Sequence, residues 1–373
     1  MSILFQAALP LTAAFAIAWL MIPLLRRPAL RQGLIDHPDH RKRHVQPTPL
    51  TGGLAIIVGL MVGLALLSAD WSQYWSLFAG MLILLLSGLA DDLIEVPASV
   101  RMLIQIGVAC LMVFGSGMEI TSLGQIFGTH WGEVGLGPFS VAFTIACVVF
   151  IINAINMIDG LDGLAGGTTV IMASVLAIVA MLDRAPPELI VLPLLLAAAT
   201  LGFLLHNYPA RKRLTARAFL GDSGSMMLGY AVAWFAIALG TRSEGLVYPI
   251  SIAWLLIIPA MDTLALFFRR IRMGRHPFSA DRTHLHHILR RCGYPVSGVV
   301  QIMHLMVALS GLVAITGWLA GIPEPLLFAG ATAILLGYQW FLANAHRFLQ
   351  WHQRQGRRRR LRLKQDPSLS RAD

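Results

Sequence analysis

The chain has 373 residues, of which 56% are hydrophobic and 13% charged, against roughly 45–50% and 25% in soluble domains. That composition excludes a secreted soluble protein, a disordered chain and a fibre, and leaves an all-α polytopic membrane protein. The formal net charge of +10 would suggest nucleic acid in a soluble protein; here its distribution along the chain decides its meaning.

A bilayer core about 30 Å thick needs roughly 17–25 apolar residues per helix. Eleven segments satisfy this: 4–25, 50–68, 75–92, 101–117, 139–157, 165–182, 187–206, 219–239, 248–268, 298–320 and 324–345. The first lacks a basic n-region, because Arg26 and Arg27 follow the apolar run, so a cleaved signal peptide is not expected. An odd number of spans puts the termini on opposite sides. Alternate loops hold 27 Lys and Arg in one set and two, Arg184 and Arg242, in the other. The positive-inside rule then places the N-terminus outside and the C-terminus in the cytoplasm. The positive charge is mostly topological and nucleic acid is not an expected partner. The organisation is one membrane domain, 1–345, with a basic tail, 346–373, whose Arg357–Arg360 run suits either anionic lipid or plain solvation. The three cysteines form no disulfide framework, and Cys110 and Cys147, which lie in apolar runs, read as buried thiols rather than a disulfide or a metal site.

Carboxylates at a bilayer face are expensive and point to function. Asp70, Glu119, Glu133, Asp183, Glu188, Glu244 and Glu324 fall in outer loops and read as solvated. The others gather at inner span ends. Asp91 and Asp92 close the third span, and such a pair is tolerated beside a cation or with a shared proton. In Asn153-Ala-Ile-Asn156-Met-Ile-Asp159-Gly-Leu-Asp162-Gly163 the polar residues recur every three positions, which puts them near one helix face. The spacing and the missing terminal Glu do not match an EF-hand. Asp222, in Gly221-Asp222-Ser223-Gly224-Ser225, opens the eighth span as either a simple N-cap or a carboxylate aimed at a metal, with helix-start N–H groups facing a phosphate. Asp262 lies inside the ninth span and reads as a structural partner of an arginine such as Arg269. The largest inner loop between spans carries Arg282, His284, His286 and His287; phosphate contact suits it better than zinc, whose usual ligand spacing is absent. A transporter of a nucleotide sugar or anion would place such carboxylates near the midplane, whereas these sit at one face.

In this order, Thr48-Pro49-Leu50-Thr51-Gly52-Gly53, Asp91-Asp92, Asn153 to Gly163, Gly221 to Ser225 and the His284/His286/His287 loop resemble the polyprenyl-phosphate N-acetylhexosamine-1-phosphate transferase superfamily. Asp36-His37-Pro38, Arg41 to His44, Pro277-Phe278-Ser279, the eleventh span and the arginine-rich tail carry a finer likeness to its bacterial N-acetylglucosamine branch. Gln46, where the peptidoglycan branch has a lysine, and the interrupted His-Leu-His-His count against that branch. The resemblance implies a multi-pass protein of the bacterial inner membrane with its site facing the cytoplasm. It implies transfer of N-acetylglucosamine-1-phosphate from UDP-N-acetylglucosamine to undecaprenyl phosphate, releasing UMP, as the first lipid-linked step of O-antigen or enterobacterial common antigen synthesis. A donor with N-acetylfucosamine or quinovosamine is the alternative. It further implies Asp91, Asp92 and Asp159 as catalytic residues, and Mg²⁺ or Mn²⁺ on Asp222 and Asn156. Asp162 and Asn153, with His284, His286, His287 and Arg282, would bind substrate, Asp162 at the uracil. The implied partners are the two substrates and the bilayer, with a homodimer as one oligomeric option.

Overall fold

A computed structural model describes residues 3–36, 47–209, 216–242, 247–274 and 283–350. Gln46, Arg282 and the basic run of the tail lie outside the described residues. In chain order the helices are α1 (Ile3–Gln32), α2 (Gly52–Ala65), α3 (Trp75–Ile94), α4 (Ala98–Ser116), α5 (Ser140–Ile158), α6 (Leu164–Leu182), α7 (Pro187–Asn207), α8 (Gly221–Gly240), α9 (Pro249–Arg272), α10 (Leu285–Arg291), α11 (Val296–Leu319) and α12 (Glu324–Ala343). The protein is an all-α, multi-pass membrane protein. Eleven of these helices fall at the eleven expected spans, and α10 is an additional short helix within the histidine loop.

Ten of the helices are long and apolar enough to cross a bilayer. Besides the short α10, the exception is α2, whose 14 residues cover about 21 Å at 1.5 Å per residue, less than a bilayer core of about 30 Å. The apolar run at 50–68 outlasts the helix, because Leu66 and Leu67 continue it past the last helical residue. At the other extreme α1 spans 30 residues and carries its helix through Arg26 and Arg27.

The bundle is organised around α8, which packs against α2, α3, α5 and α6. Glycine makes the closest approaches possible. A β-carbon at Gly88 of α3 would lie 2.2 Å from Cα of Ser223, and one at Gly53 of α2 would lie 2.8 Å from Cα of Gly224. Farther along α8, the Tyr230 hydroxyl donates to the Ser76 carbonyl (2.9 Å) and the Trp234 indole N–H donates to the Ser76 hydroxyl (3.0 Å). These bonds satisfy polar atoms that lipid would leave unpaired.

A two-stranded antiparallel ribbon, β1 (Ile35–Asp36) and β2 (Thr48–Pro49), pairs Ile35 with Pro49 and Asp36 with Thr48. It ties the end of α1 to the Thr48–Gly53 segment. That segment is bonded in turn to the entry of α8: Phe219 N–H donates to the Pro49 carbonyl (2.9 Å) and Gly52 N–H donates to the Phe219 carbonyl (3.0 Å).

Two expectations need correction. Asp183 is not solvated. Its side chain is fully buried and forms an ion pair with Arg242 at 2.7 Å. Glu324 also has a structural task, accepting the Gln125 backbone N–H at 3.1 Å. All three cysteines are free thiols, but Cys110 and Cys147 are only half-buried and Cys292 is the buried one.

Candidate active site

Four helix ends meet at one end of the bundle. Asp91 and Asp92 lie in the last turn of α3, Arg101 in the first turn of α4, Asn156 near the end of α5, and Asp222 at the second residue of α8. Chain reversal between α3 and α4 takes only three residues, with Glu95 in the left-handed region at φ 53°. This tight connection swings Arg101 back over the aspartate pair.

Arg101 is the hub. Its Nη1 donates to Asp91 Oδ2 and, at 2.7 Å, to Asp222 Oδ2. Asp91 also accepts the Val96 N–H at 2.7 Å. Asp92 faces the start of α8 and accepts from the Asp222 N–H (3.1 Å), the Ser223 N–H (3.4 Å) and the Ser223 hydroxyl (3.0 Å). It therefore satisfies orphan donors of the helix start from another helix, where negative charge is favoured. Asn156 Nδ2 donates to Asp222 Oδ1 (2.9 Å) and to Ser225 Oγ (2.8 Å). Asp222 does not act as an N-cap, since Leu220 holds that position.

Asp159 follows α5 as its C-cap. Burial in the cluster, with Asp222, Asp162 and Asp92 facing it, holds its carboxyl well above the usual carboxylate range. Asn153 lies one turn back on α5, donating to Gln105 Oε1 (2.6 Å) and to the Val149 carbonyl (2.8 Å). It bridges α5 to α4, while Asn156 alone of the two asparagines reaches Asp222.

The Asp159–Gly163 turn is held on two sides. Gly163 adopts φ 82°, and its N–H donates to Asn207 Oδ1 at 2.6 Å. Asn207 Nδ2 donates to the Ala218 carbonyl at 2.9 Å, so this buried side chain connects the turn to the segment entering α8. On the other side a β-carbon at Gly160 would lie 2.5 Å from Nε2 of His286. The histidine loop thus packs directly on the aspartate turn.

Within that loop His284 caps α10, and His286 and His287 follow, with ring centroids 5.4 Å (284–286) and 4.2 Å (286–287) apart. His286 is buried, and neither ring nitrogen has a hydrogen-bond partner among the described residues. Burial, together with repulsion from His287 and His284, pulls its pKa down to about 3, which keeps the ring neutral at physiological pH. Asp262 is not paired with Arg269. It takes His284 Nδ1 at 2.8 Å and the Leu285 N–H at 3.1 Å.

Arg101 and Asn207 are the residues whose roles sequence reasoning missed. Arg101 counted only as a topological charge, although a lone cation ten residues after Asp91 at the start of an apolar span is itself a signal. Asn207 is a polar side chain ending an otherwise apolar span.

The donor set fits a hard cation. Asp91 and Asp222 share the Arg101 guanidinium, Asp92 binds the start of α8 and Asp159 lies near Asp222 and Asp92, so among the described residues the cluster carries an excess of carboxylate oxygen. Among the described residues no three His, Cys, Asp or Glu side chains form a ready-made cage. Mg²⁺ needs none, since it keeps several waters and uses one or two carboxylates plus substrate phosphates.

Residues 74–240 match the family model described as Glycosyl transferase family 4. That stretch contains Asp91, Arg101, Asn156, Asp162 and Asp222, while Asp262 and the histidines lie beyond it. The chain is 30% identical over 370 residues to a Salmonella typhi protein named undecaprenyl-phosphate alpha-N-acetylglucosaminyl 1-phosphate transferase, covering 98% of this chain and 99% of the relative. Proteins of the same name from Yersinia pestis and Haemophilus influenzae are each 30% identical, over 93% and 94% of this chain and 93% and 98% of their own lengths.

Proposed function

The chain belongs to glycosyl transferase family 4 and is a phosphoglycosyltransferase, and from that premise we propose that it moves N-acetylglucosamine-1-phosphate from UDP-N-acetylglucosamine to undecaprenyl phosphate. The observation that carries this reading is the convergence of Asp91, Asp92, Arg101 and Asn156 at the Asp222 end of α8, in a chain alignable over nearly its whole length with transferases of that name. A lipid acceptor and a water-soluble donor meet at a membrane face, which suits a polar site at the helix ends.

An oxygen of the acceptor phosphate attacks the β-phosphorus of the donor. The bond from that phosphorus to the bridging oxygen breaks, and UMP departs with the bond's electron pair. One phosphoanhydride replaces another. The acceptor's second pKa is about 6, so most of it is already the dianion near neutral pH. Asp91 therefore need not remove a proton; its task is to hold Arg101 against the phosphates. Asp92 fixes the start of α8 and with it the direction of Asp222. Asp159, which caps α5 close to Asp222 and Asp92, is the remaining catalytic carboxylate of the cluster. His284, His286 and His287, with Arg282 from outside the described residues, bind the donor diphosphate. Asp222 and Asn156 would hold Mg²⁺ or Mn²⁺, which would supply positive charge to screen the repulsion between two anionic substrates.

The test is UMP release by purified protein in detergent with undecaprenyl phosphate, Mg²⁺ and a panel of UDP-sugars. Turnover only with UDP-N-acetylglucosamine supports the reading. Turnover only with the N-acetylfucosamine or quinovosamine donor moves the specificity, and no UMP from any donor defeats it. In this reading the enzyme sits in the bacterial inner membrane, faces the cytoplasm and starts a lipid-linked surface glycan such as O-antigen. A reporter fused after Asp373 then reads cytoplasmic and one at residue 2 reads external; the reverse would put the site on the wrong side for a nucleotide donor.

Asp162 separates binding from chemistry. Uracil offers an N3–H donor, and a carboxylate accepts it. A contact so far from the reacting phosphorus is equal in ground and transition states, so its loss raises KM and spares kcat. A hydrogen bond to a charged group contributes about 1.5–3 kcal/mol, so Asp162→Ala raises the donor KM roughly 10- to 150-fold. Steady-state kinetics at saturating acceptor check this, and a collapse of kcat would assign Asp162 to the phosphates instead.

A further inference from the structure

The last span, α12, contributes little to the core: of its 20 residues only Leu327, Tyr338 and Leu342 are buried. Leu327 serves packing at the far end, where its carbonyl accepts the Trp254 indole N–H at 3.0 Å. Tyr338 differs, because its hydroxyl donates to Oδ1 of Asp262 on α9.

Asp262 is 1% exposed, and a buried carboxylate persists only where donors compensate its lost hydration. Its donors are three. His284 Nδ1 engages Oδ2, while the Leu285 N–H and the Tyr338 hydroxyl share Oδ1. Two of the three belong to the first residues of the histidine helix, so Asp262 fixes both the position of α10 and the orientation of the His284 ring. With Nδ1 turned to the carboxylate, Nε2 is the nitrogen left for a ligand. The ring lies nearly parallel to that of His286, at an interplanar angle of 13°, and His286 abuts Gly160 of the aspartate turn. A chain of contacts therefore runs from the lipid-exposed α12 through Asp262 and the histidines to the carboxylate cluster.

We propose that Tyr338 is a positioning residue for the donor diphosphate: through Asp262 it holds His284 with Nε2 presented to a phosphate oxygen. This rests on the reading above that the histidine loop binds that diphosphate. Partners that orient a metal-binding histidine through its second nitrogen typically change affinity or activity 10- to 100-fold; a phosphate-binding histidine is oriented in the same way, and Tyr338 acts one bond further out, so the lower end of that range applies.

The test is Tyr338→Phe, which removes only the hydroxyl. The KM for UDP-N-acetylglucosamine rises about tenfold, while kcat and the KM for undecaprenyl phosphate stay within about twofold and the affinity for uridine, which lacks phosphate, is unchanged. Hydrogen exchange supplies a readout independent of turnover. Amides of residues 283–291, including the Leu285 N–H on Asp262, exchange faster in the variant. A donor KM that does not move, a fall in kcat alone, or equal weakening of all three ligands would overturn the proposal, as would unchanged exchange in that segment. If the wild-type protein turns over none of the UDP-sugars, the reading of the reaction fails by that result, and the exchange rates alone decide whether Tyr338 holds the loop.

Discussion

Replacing Asp222 with alanine is expected to lower kcat by about 10²- to 10³-fold, the loss typical when one preorganised electrostatic contact to a transition state is removed. The side chain is 35% exposed, so truncation opens no cavity in the core, and the fold should survive. What disappears is the carboxylate shared by Arg101 and Asn156, at 2.7 and 2.9 Å, and with it the strongest candidate for a cation ligand. Asp222→Asn separates shape from charge: the amide keeps the outline but is a poor ligand for a hard dication, so its kcat should lie near that of the alanine variant. EDTA should abolish wild-type turnover and Mg²⁺ or Mn²⁺ restore it. UMP release and size-exclusion profiles on the same preparations check both points. An asparagine variant keeping more than about a tenth of wild-type kcat would remove charge from the explanation.

Gly88→Ala should be nearly as damaging to turnover, though Gly88 touches no substrate. Its β-carbon would lie 2.2 Å from Cα and 2.3 Å from the backbone N of Ser223. Backbone cannot swing aside as a side chain does, so α3 and α8 must separate. Overpacking of this kind costs about 1–3 kcal/mol of stability. The catalytic cost is larger, because the displaced atoms carry Asp92 and its bonds to the N–H groups of Asp222 and Ser223. A misplacement of about 1 Å is enough for a 10²-fold loss. Gly107→Ala on α4, with nothing within 4 Å of its β-carbon, is the control; it should keep activity and gain about 0.5–1 kcal/mol of helix stability. Equal activity in the two variants would mean that the crossing of α3 and α8 does not set the site.

The parts of the molecule legible in one dimension are those where lipid imposes a local rule. Each span declares itself by apolar length, and the aspartates at inner span ends stand out because charge is costly there. The ends of helices were less legible. At Ala65 the helix stops while the apolar run goes on, and at Arg26 the apolar run stops while the helix goes on. Hydropathy reports the solvent around a residue and not its dihedral angles. α10 escaped because its apolar residues, Leu285, Ile288 and Leu289, keep helical spacing over only seven residues, too short a run for the period to stand out. Which charges meet was least legible of all. Asp262 had Arg269 two turns away on its own helix, yet its partner came from beyond the helix, at His284. Arg101 was visible as a charge, but its pairing with Asp222 crosses 121 residues and depends on which helices are neighbours.

The burial of α8 also bears on how the chain is made. It is the least apolar of the ten candidate spans and the most thoroughly enclosed, and it opens on Gly221-Asp222-Ser223-Gly224-Ser225. As a lone segment leaving the translocon, it would gain little from lipid and would expose a carboxylate and two hydroxyls to it. The helices that pack most extensively on it, α2, α3, α5 and α6, all precede it in the chain. By the time the ribosome delivers Asp222, the Asp92 side chain that accepts its N–H and the Asn156 amide that binds its carboxylate are already in the membrane. Biogenesis then follows the order of the gene: α8 is retained by inserting into a cradle built before it, and a truncated chain lacking α3 or α5 should fail to keep α8 in the bilayer.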